Sequence, residues 1–374
     1  MKLINDIYKT KNLAEYGRFI CYSLLAMIVI GPFVIPKFTP NSSKQLLSIN
    51  GNHLKYDDKA IVSDFFSSIK SNDGYLFLGT SESTSIKFGG NYYNFLNDDP
   101  GLKVKFTILA GAGRTCGKYI PVFLNHKADV KSLKIFYYIN PVYWREDLCN
   151  PNKAYWKRYS NYGVLKNVSI SNEEKEIYYR EVTEYMEGLN AGEKSTFVID
   201  YWLRKYRAAY FIDLWYKVNP DLYSENNTYV REKKNDLSGY KSFGEIDNEI
   251  IDTLSNEKRE SSGNQSFEPN NNEVQYRYNE LTSFIHLCRD LEINITYILG
   301  PFNQRFIETY APNELKGYQT TIKNIEKILK KQNVNYIDAT DGSSMAGTFS
   351  DAMHNSSFGA YLIYLKIKKY INEN

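Results

Sequence analysis

Five apolar runs rich in β-branched and aromatic residues constrain this chain most. They occupy residues 74–79, 104–110, 133–139, 293–299 and 334–337, and each stops at turn-forming residues. Such runs read as strands buried on both faces. Helix-like patterns over 118–125, 273–291 and 313–331 separate them, and a last helix is expected over 360–370. Strands alternating with helices imply an α/β fold in three layers, a parallel sheet with helices on both faces.

The sheet pattern is broken between the third and fourth runs by an insertion at about 150–272. Its part over 172–216 is helical in pattern and aromatic-rich, with Tyr178, Tyr179, Tyr185, Tyr201, Trp202, Tyr206, Tyr210, Phe211 and Trp215. These rings either bury a helical cap against the sheet or stack on sugar rings. Residues 224–272 turn polar, with Ser261-Ser262-Gly263-Asn264 and Asn270-Asn271-Asn272, and read as an exposed loop.

Ahead of the sheet, residues 19–36 carry no charge, a short but sufficient length for a bilayer-spanning helix. Lys2, Lys9, Lys11 and Arg18 precede it, whereas Lys37 and Lys44 are sparser beyond it. The positive-inside rule then keeps residues 1–18 cytoplasmic, makes 19–36 a transmembrane anchor and places the rest outside. Residues 37–73 are expected to be a linker and the start of the exported domain, with 74–374 the catalytic domain. A cleaved signal peptide is the alternative, but no small-residue cleavage pattern follows the run.

Lys+Arg 46 against Asp+Glu 43, a formal net charge of +3, is too balanced for a nucleic-acid surface. Four cysteines and four histidines, with no pair at ligand spacing, argue against a structural zinc site. Of the cysteines, Cys21 lies in the apolar span, so Cys116, Cys149 and Cys288 allow at most one internal disulfide.

Residues with chemical potential gather where the strand-like runs end. Ser81 follows the first run, where the N–H groups of a following helix would face an oxygen near the serine. Serine, threonine and glutamate are also ordinary helix caps, so this segment has a plain structural reading as well. Gly111-Ala112-Gly113 follows the second run and offers unhindered N–H donors, or simply a tight turn. It is no dinucleotide fingerprint, because Gly117 falls one position late. Asn140, after the third run, is an amide donor at the edge where α/β sheets collect ligands, or the start of an Asn-Pro turn.

Asp351 and His354 precede the last helix. A carboxylate three residues before a histidine can hold one imidazole nitrogen and leave the other to accept a serine proton. His53, His126 and His286 have no such company and read as structural.

Together these residues resemble the SGNH-hydrolase superfamily, with its flavodoxin-like sheet and its Ser, Gly, Asn and Asp-x-x-His blocks. Within it the chain looks most like the DltD family of D-alanyl transfer proteins. Gly79-Thr80-Ser81-Glu82 stands where that family has Gly-Ser-Ser-Glu, and Gly111-Ala112-Gly113-Arg114-Thr115 resembles its glycine block. Asn140-Pro141-Val142-Tyr143-Trp144 resembles its Ser-Pro-Gln-Trp-Phe segment, and Asp351, His354 and Gly359 match its C-terminal block. Two departures stand out: residues 86–93 lack the His-Pro that follows the family's nucleophile helix, and Tyr361 replaces a tryptophan.

The resemblance implies a membrane-anchored, extracytoplasmic O-acyltransferase that works without a cofactor. Its catalytic residues would be Ser81, Asp351 and His354, with Gly113 and Asn140 holding the oxyanion. Its partners would be a membrane-bound O-acyltransferase, an acyl donor and a cell-envelope glycopolymer acceptor, most directly teichoic acid receiving D-alanine. O-acetylation of an extracellular polysaccharide, an esterase or thioesterase activity, and a non-catalytic adaptor role are the alternatives.

Overall fold

The computed structural model describes residues 13–34, 59–80, 92–109, 115–145, 171–178, 180, 188–193, 195–196, 199, 203, 272–349 and 353–374. In chain order its elements are α1 (Leu13–Val34), α2 (Lys59–Ser71), β1 (Tyr75–Leu78), α3 (Tyr92–Asp98), β2 (Phe106–Ile108), α4 (Tyr119–Asn125), α5 (Lys127–Val130) and β3 (Lys134–Ile139). There follow α6 (Asn172–Tyr178), α7 (Asn272–Asp290), β4 (Asn294–Leu299), α8 (Gln304–Tyr310), α9 (Leu315–Lys331), β5 (Tyr336–Asp338) and α10 (Ser357–Glu373). The chain falls into two units, one of Met1–Pro40 with Asn190–Asn227 and one of Asn41–Leu189 with Thr228–Asn374.

In the larger unit every apolar run supplies a strand, and the five pair in parallel in the order β2-β1-β3-β4-β5. This is the flavodoxin-like order, in which the chain leaves β1 to one side for β2 and returns on the other for β3. Side chains alternate across the sheet. Leu76, Leu78, Ile135, Tyr137, Ile139, Tyr297 and Leu299 join a core with α2, α4, α7 and α9. Phe77, Phe106, Phe136, Tyr138 and Ile298 join a second core with α3 and α10. Both faces are therefore covered, which is why the strands lack a polar alternation.

The joins into four strands repeat one device. Asp73, Ser132, Glu292 and Asn333, the residues just past α2, α5, α7 and α9, all have positive φ, from 48° to 64°. After α2, α7 and α9 the next N–H reaches back into the last helical turn: Gly74 to the Ile69 carbonyl, Ile293 to Cys288 and Val334 to Leu329. That is the left-handed helix stop built without glycine. It also explains why β5 begins at Tyr336 rather than at the expected 334, since Val334 is still bonded to the preceding helix.

Two other boundaries differ from expectation. β2 is confined to Phe106–Ile108 because the Leu109 carbonyl is taken by a tyrosine hydroxyl instead of the ladder. α10 begins at Ser357, capped by the Ser356 side chain, which accepts the Gly359 N–H at 3.0 Å.

The smaller unit contains α1. Phe19, Ile20, Leu24, Leu25, Met27, Ile28, Val29, Ile30 and Val34 on this helix are each more than half exposed. Glu15 and Arg18 lie in its first turns, so its uncharged part, Phe19 to Val34, falls just short of the roughly 17 residues at the lower end for a bilayer span. No helix among the described residues is long and apolar enough to cross a membrane. Residues 35–36 of the expected span, and most of the insertion, lie outside the described residues.

Asp99 ties α10 to the segment between α3 and β2. Lys368 Nζ and the Tyr364 hydroxyl each donate to it at 2.6 Å, and the Gly101 N–H donates at 2.8 Å. The bonds from Lys368 and Tyr364 hold its carboxyl down at about 2. A carboxyl with a depressed folded value stabilises the fold fully above its unfolded value near ~3.9, and loses that contribution as the pH falls through the folded value. Asp99→Asn is therefore expected to lower the thermal midpoint at pH 7, with the gap to the natural chain closing as the pH falls from about 4 toward 2. Melting curves followed by circular dichroism across that range check this; a gap independent of pH would refute it.

Candidate active site

A parallel sheet with this order opens a crevice at its carboxyl edge between β1 and β3, where consecutive connections leave in opposite directions. Gly79 and Thr80 continue β1 into that edge, Asn140 continues β3, and Gly300 to Asn303 continue β4. Ser81, Gly113 and Asp351 lie outside the described residues; Asn140 and His354 lie within them.

Gly79 has φ 155°, a conformation that suits only glycine, as β1 turns out of the sheet. Beside it the buried Tyr119 hydroxyl accepts the Gly79 N–H at 3.3 Å and has two carbonyls to donate to, Leu109 at 3.0 Å and Gly79 at 3.1 Å. Thr80 is 2% exposed, so the backbone leading into Ser81 is held inside the fold.

Asn140 is buried and caps the 3-10 turn Pro141–Trp144, its Oδ1 accepting the Val142 N–H at 2.9 Å. The two readings of this residue are therefore compatible. The Asn-Pro turn exists, and by engaging Oδ1 it assigns the amide and leaves Nδ2 as the donor end. Val142, Tyr143 and Trp144 bury the turn in the core, with Trp144 packed on Tyr278 at 6.0 Å between ring centres.

His354 is half-buried in a segment clamped on both sides. Phe349 and Asn355 form an isolated antiparallel bridge, the Ser356 N–H donates to the Thr348 carbonyl at 2.9 Å, and the Ser356 hydroxyl donates to the Gly347 carbonyl. Asn355 Nδ2 donates to the Tyr138 hydroxyl at 3.3 Å. Since Tyr138 and Asn140 belong to one strand end, β3 both carries Asn140 and anchors the neighbour of His354. The β4 end fits against the same ring: a Cβ on Gly300 would lie 2.3 Å from the Tyr138 hydroxyl.

A second Ser, His and Asp set lies elsewhere, and its geometry is wrong for catalysis. His126 Nδ1 is 3.0 Å from Asp129 Oδ2 and 3.3 Å from Ser63 Oγ, while Ser63 Oγ donates to Asp129 at 2.6 Å. A relay needs serine and carboxylate on opposite ring nitrogens. Here both meet Nδ1, and Nε2 is buried with no partner. Burial works against ionisation of Asp129, yet the bonds from Ser63 and His126 keep its carboxyl below the ordinary range. The set pins α2 to α5. His286, through Gln332 at 3.1 Å, pins α7 to the end of α9. Both histidines are structural, as expected; His53 lies outside the described residues.

Cys116 and Cys288 are buried free thiols. Burial and the neighbouring Glu280 carboxylate push the Cys116 thiol well up, so it is no nucleophile. Cys21 is exposed and Cys149 lies outside the described residues.

Sequence reasoning missed the residues that hold this edge together: Tyr119, Tyr138, Ser356 and the buried pair Arg277 and Glu280. The pair left a trace, because both charges fall in phase with the apolar stripe Val274, Leu281, Phe284 and Cys288 on α7. Gly359, noted only as a motif position, has a direct steric reason. A Cβ there would lie 2.1 Å from the Thr348 carbonyl oxygen, at the point where α10 meets the His354 segment.

A family model described as DltD protein matches residues 68–372, most of the chain. No curated protein matches it.

Gly359→Ala is expected to destabilise the protein by about 1–3 kcal/mol, the usual cost of overpacking against backbone that cannot retreat. Urea unfolding checks this. An unchanged midpoint would mean that the Thr348 carbonyl moves freely and that the clamp is loose.

Proposed function

The chain belongs to the DltD family, and from that membership we propose that it is a membrane-anchored, extracytoplasmic O-acyltransferase that transfers D-alanine to teichoic acid through an SGNH-type serine site. The observation that carries the reading is Asn140. It continues β3 at the crevice beside β1, with Oδ1 bound to the Val142 N–H and Nδ2 left as donor. That is the disposition an oxyanion donor needs: fixed before the reaction, in a buried setting where its dipole is worth more than in water.

His354, oriented by Asp351, takes the proton of Ser81 Oγ as that oxygen attacks the carbonyl carbon of the acyl donor. The tetrahedral oxyanion is held by the Ser81 N–H, the Gly113 N–H and Asn140 Nδ2. Its collapse expels the donor's leaving group, which receives the proton from His354 and leaves acyl-Ser81. A polymer hydroxyl then attacks the ester as His354 takes its proton. The second tetrahedral species releases the acylated polymer and Ser81.

The exposed apolar surface of α1 supports anchoring, since a helix apolar on every side has no favourable place in water. In this reading the span runs over 19–36, residues 1–18 are cytoplasmic, and a membrane-bound O-acyltransferase supplies the acyl group. Of the two departures from the family pattern, Tyr361 touches packing: its ring lies 5.4 Å from Phe95 and 5.6 Å from Tyr364. The other, over 86–93, falls mostly outside the described residues, and it keeps polysaccharide O-acetylation as the second reading.

Incubating the full chain with D-alanyl or acetyl donors and weighing it by mass spectrometry distinguishes these readings. A D-alanyl increment on Ser81, absent in Ser81→Ala and His354→Ala, is expected; an acetyl increment would favour the second reading. Release of free acid without polymer would make the protein an esterase, and polymer acylation in cells surviving Ser81→Ala would make it an adaptor.

Asn140→Asp gives a sharper test of the oxyanion donor. It keeps an oxygen to accept the Val142 N–H but removes the amide, so the thermal midpoint is expected to stay near that of the natural chain. The acylation rate should fall about 10²–10³-fold, as for loss of one oxyanion donor. Equal rates would remove Asn140 from the mechanism.

A further inference from the structure

We propose that Tyr119 and Arg277 are positioning residues that fix both ends of the glycine segment after β2, and that Tyr119 also links that segment to the turn carrying Ser81. The inference rests on the reading of Ser81 and Gly113 given above. The two chains that would supply nucleophile and oxyanion donor meet described structure at three points: Gly79, Leu109 and Thr115.

At the first two points the sheet comes apart. β1 and β2 pair as far as Phe77 with Ile108, and the Leu109 N–H still reaches the Phe77 carbonyl at 2.7 Å. Beyond that the ladder stops, leaving the Gly79 N–H and the Gly79 and Leu109 carbonyls in a buried region where unpaired backbone groups are costly. The Tyr119 hydroxyl meets all three. Its ring is fully buried among Phe123, Tyr137 and Phe284, so the hydroxyl acts as a fixed strut between the strand ends.

The far end of the glycine segment is held from α7. Arg277 Nη1 donates to Thr115 Oγ1 at 2.8 Å and to Glu280 Oε2 at 2.6 Å, both charged groups being buried. The Cys116 thiol donates to the same carboxylate at 3.5 Å, and a Cβ on Gly117 would lie 1.9 Å from Glu280 Oε1. The backbone there is packed directly on the ion pair. A five-residue connection, 110–114, thus runs between two ends that side-chain hydrogen bonds hold in the core. Fixed ends restrict a short loop to few conformations. Donors arranged in advance stabilise an oxyanion without reorganising as charge develops.

The test uses two conservative variants of the full chain, Tyr119→Phe and Thr115→Val. The first removes only the hydroxyl; the second removes the acceptor of Arg277 while sparing its bond to Glu280. The probe is an alkyl fluorophosphonate: Ser81 Oγ forms a bond to phosphorus, fluoride leaves, and the serine proton passes to His354. Labelling is followed well below the unfolding temperature, giving a maximal rate and a half-saturating probe concentration. Each variant is expected to lower the maximal rate about tenfold or more at unchanged half-saturation, the pattern of an interaction made in the transition state. A merely structural role would lower the melting temperature and leave the labelling rate of the folded protein untouched; that outcome overturns the inference. A natural chain that takes no label at Ser81 overturns the reading of the site itself, and the inference with it.

Discussion

A parallel sheet satisfies its backbone only where strands lie side by side, and all five strands here finish at one edge. At that edge the N–H and carbonyl groups lose their ladder partners together while still enclosed by helices. Side chains take over. Tyr119 serves the ends of β1 and β2, Asn140 the turn after β3, Ser343 the Phe302 N–H after β4, and Ser356 the start of α10. Polar groups placed to satisfy a broken ladder are also groups held rigidly around a crevice. The demand of the fold and the demand of a preorganised site coincide.

That coincidence explains why two Ser, His and Asp sets in one chain differ in kind. Around His126 the three side chains satisfy each other at Nδ1, and Phe66 packs edge-on against the ring at 5.9 Å. The cluster consumes its own polarity and holds two helices together. The segment of His354 is instead fixed through its neighbours: Phe349 and Asn355 through the bridge, Asn355 through Tyr138, and Ser356 through its cap. A histidine whose backbone is restrained by adjacent residues keeps its ring for chemistry.

The layer structure was legible because it rests on local pattern. Apolar runs gave all five strands, and helical periodicity gave α4, α7 and α9 to within a few residues. Boundaries went astray where a long-range contact overrode the local signal. Val334 is held by Leu329 in a left-handed helix stop, and Leu109 loses its ladder to Tyr119, forty residues from the Gly79 that this tyrosine also binds. Of the site, the residue types at strand ends were readable; the supporting shell was not. Tyr119 and Tyr138 look in sequence like any other core aromatic in a chain with 33 tyrosines. Only the position of each hydroxyl distinguishes them, and that depends on the whole sheet.

The buried Arg277 and Glu280 pair carries the argument one step further. Removing two charges from water costs several kcal/mol per ion, and a well-packed apolar replacement is often as stable or more so, so such a pair is weak evidence for stability. What apolar side chains cannot supply is direction. Arg277 spends one donor group on both Glu280 and Thr115, and Glu280 accepts from Cys116 while lying against the Gly117 backbone. The pair therefore specifies where α7 sits relative to the residues that follow the glycine segment, to within a hydrogen-bond length. Loosening it with apolar residues would preserve a core and lose a register, and at the carboxyl edge of this sheet register is what the chemistry requires.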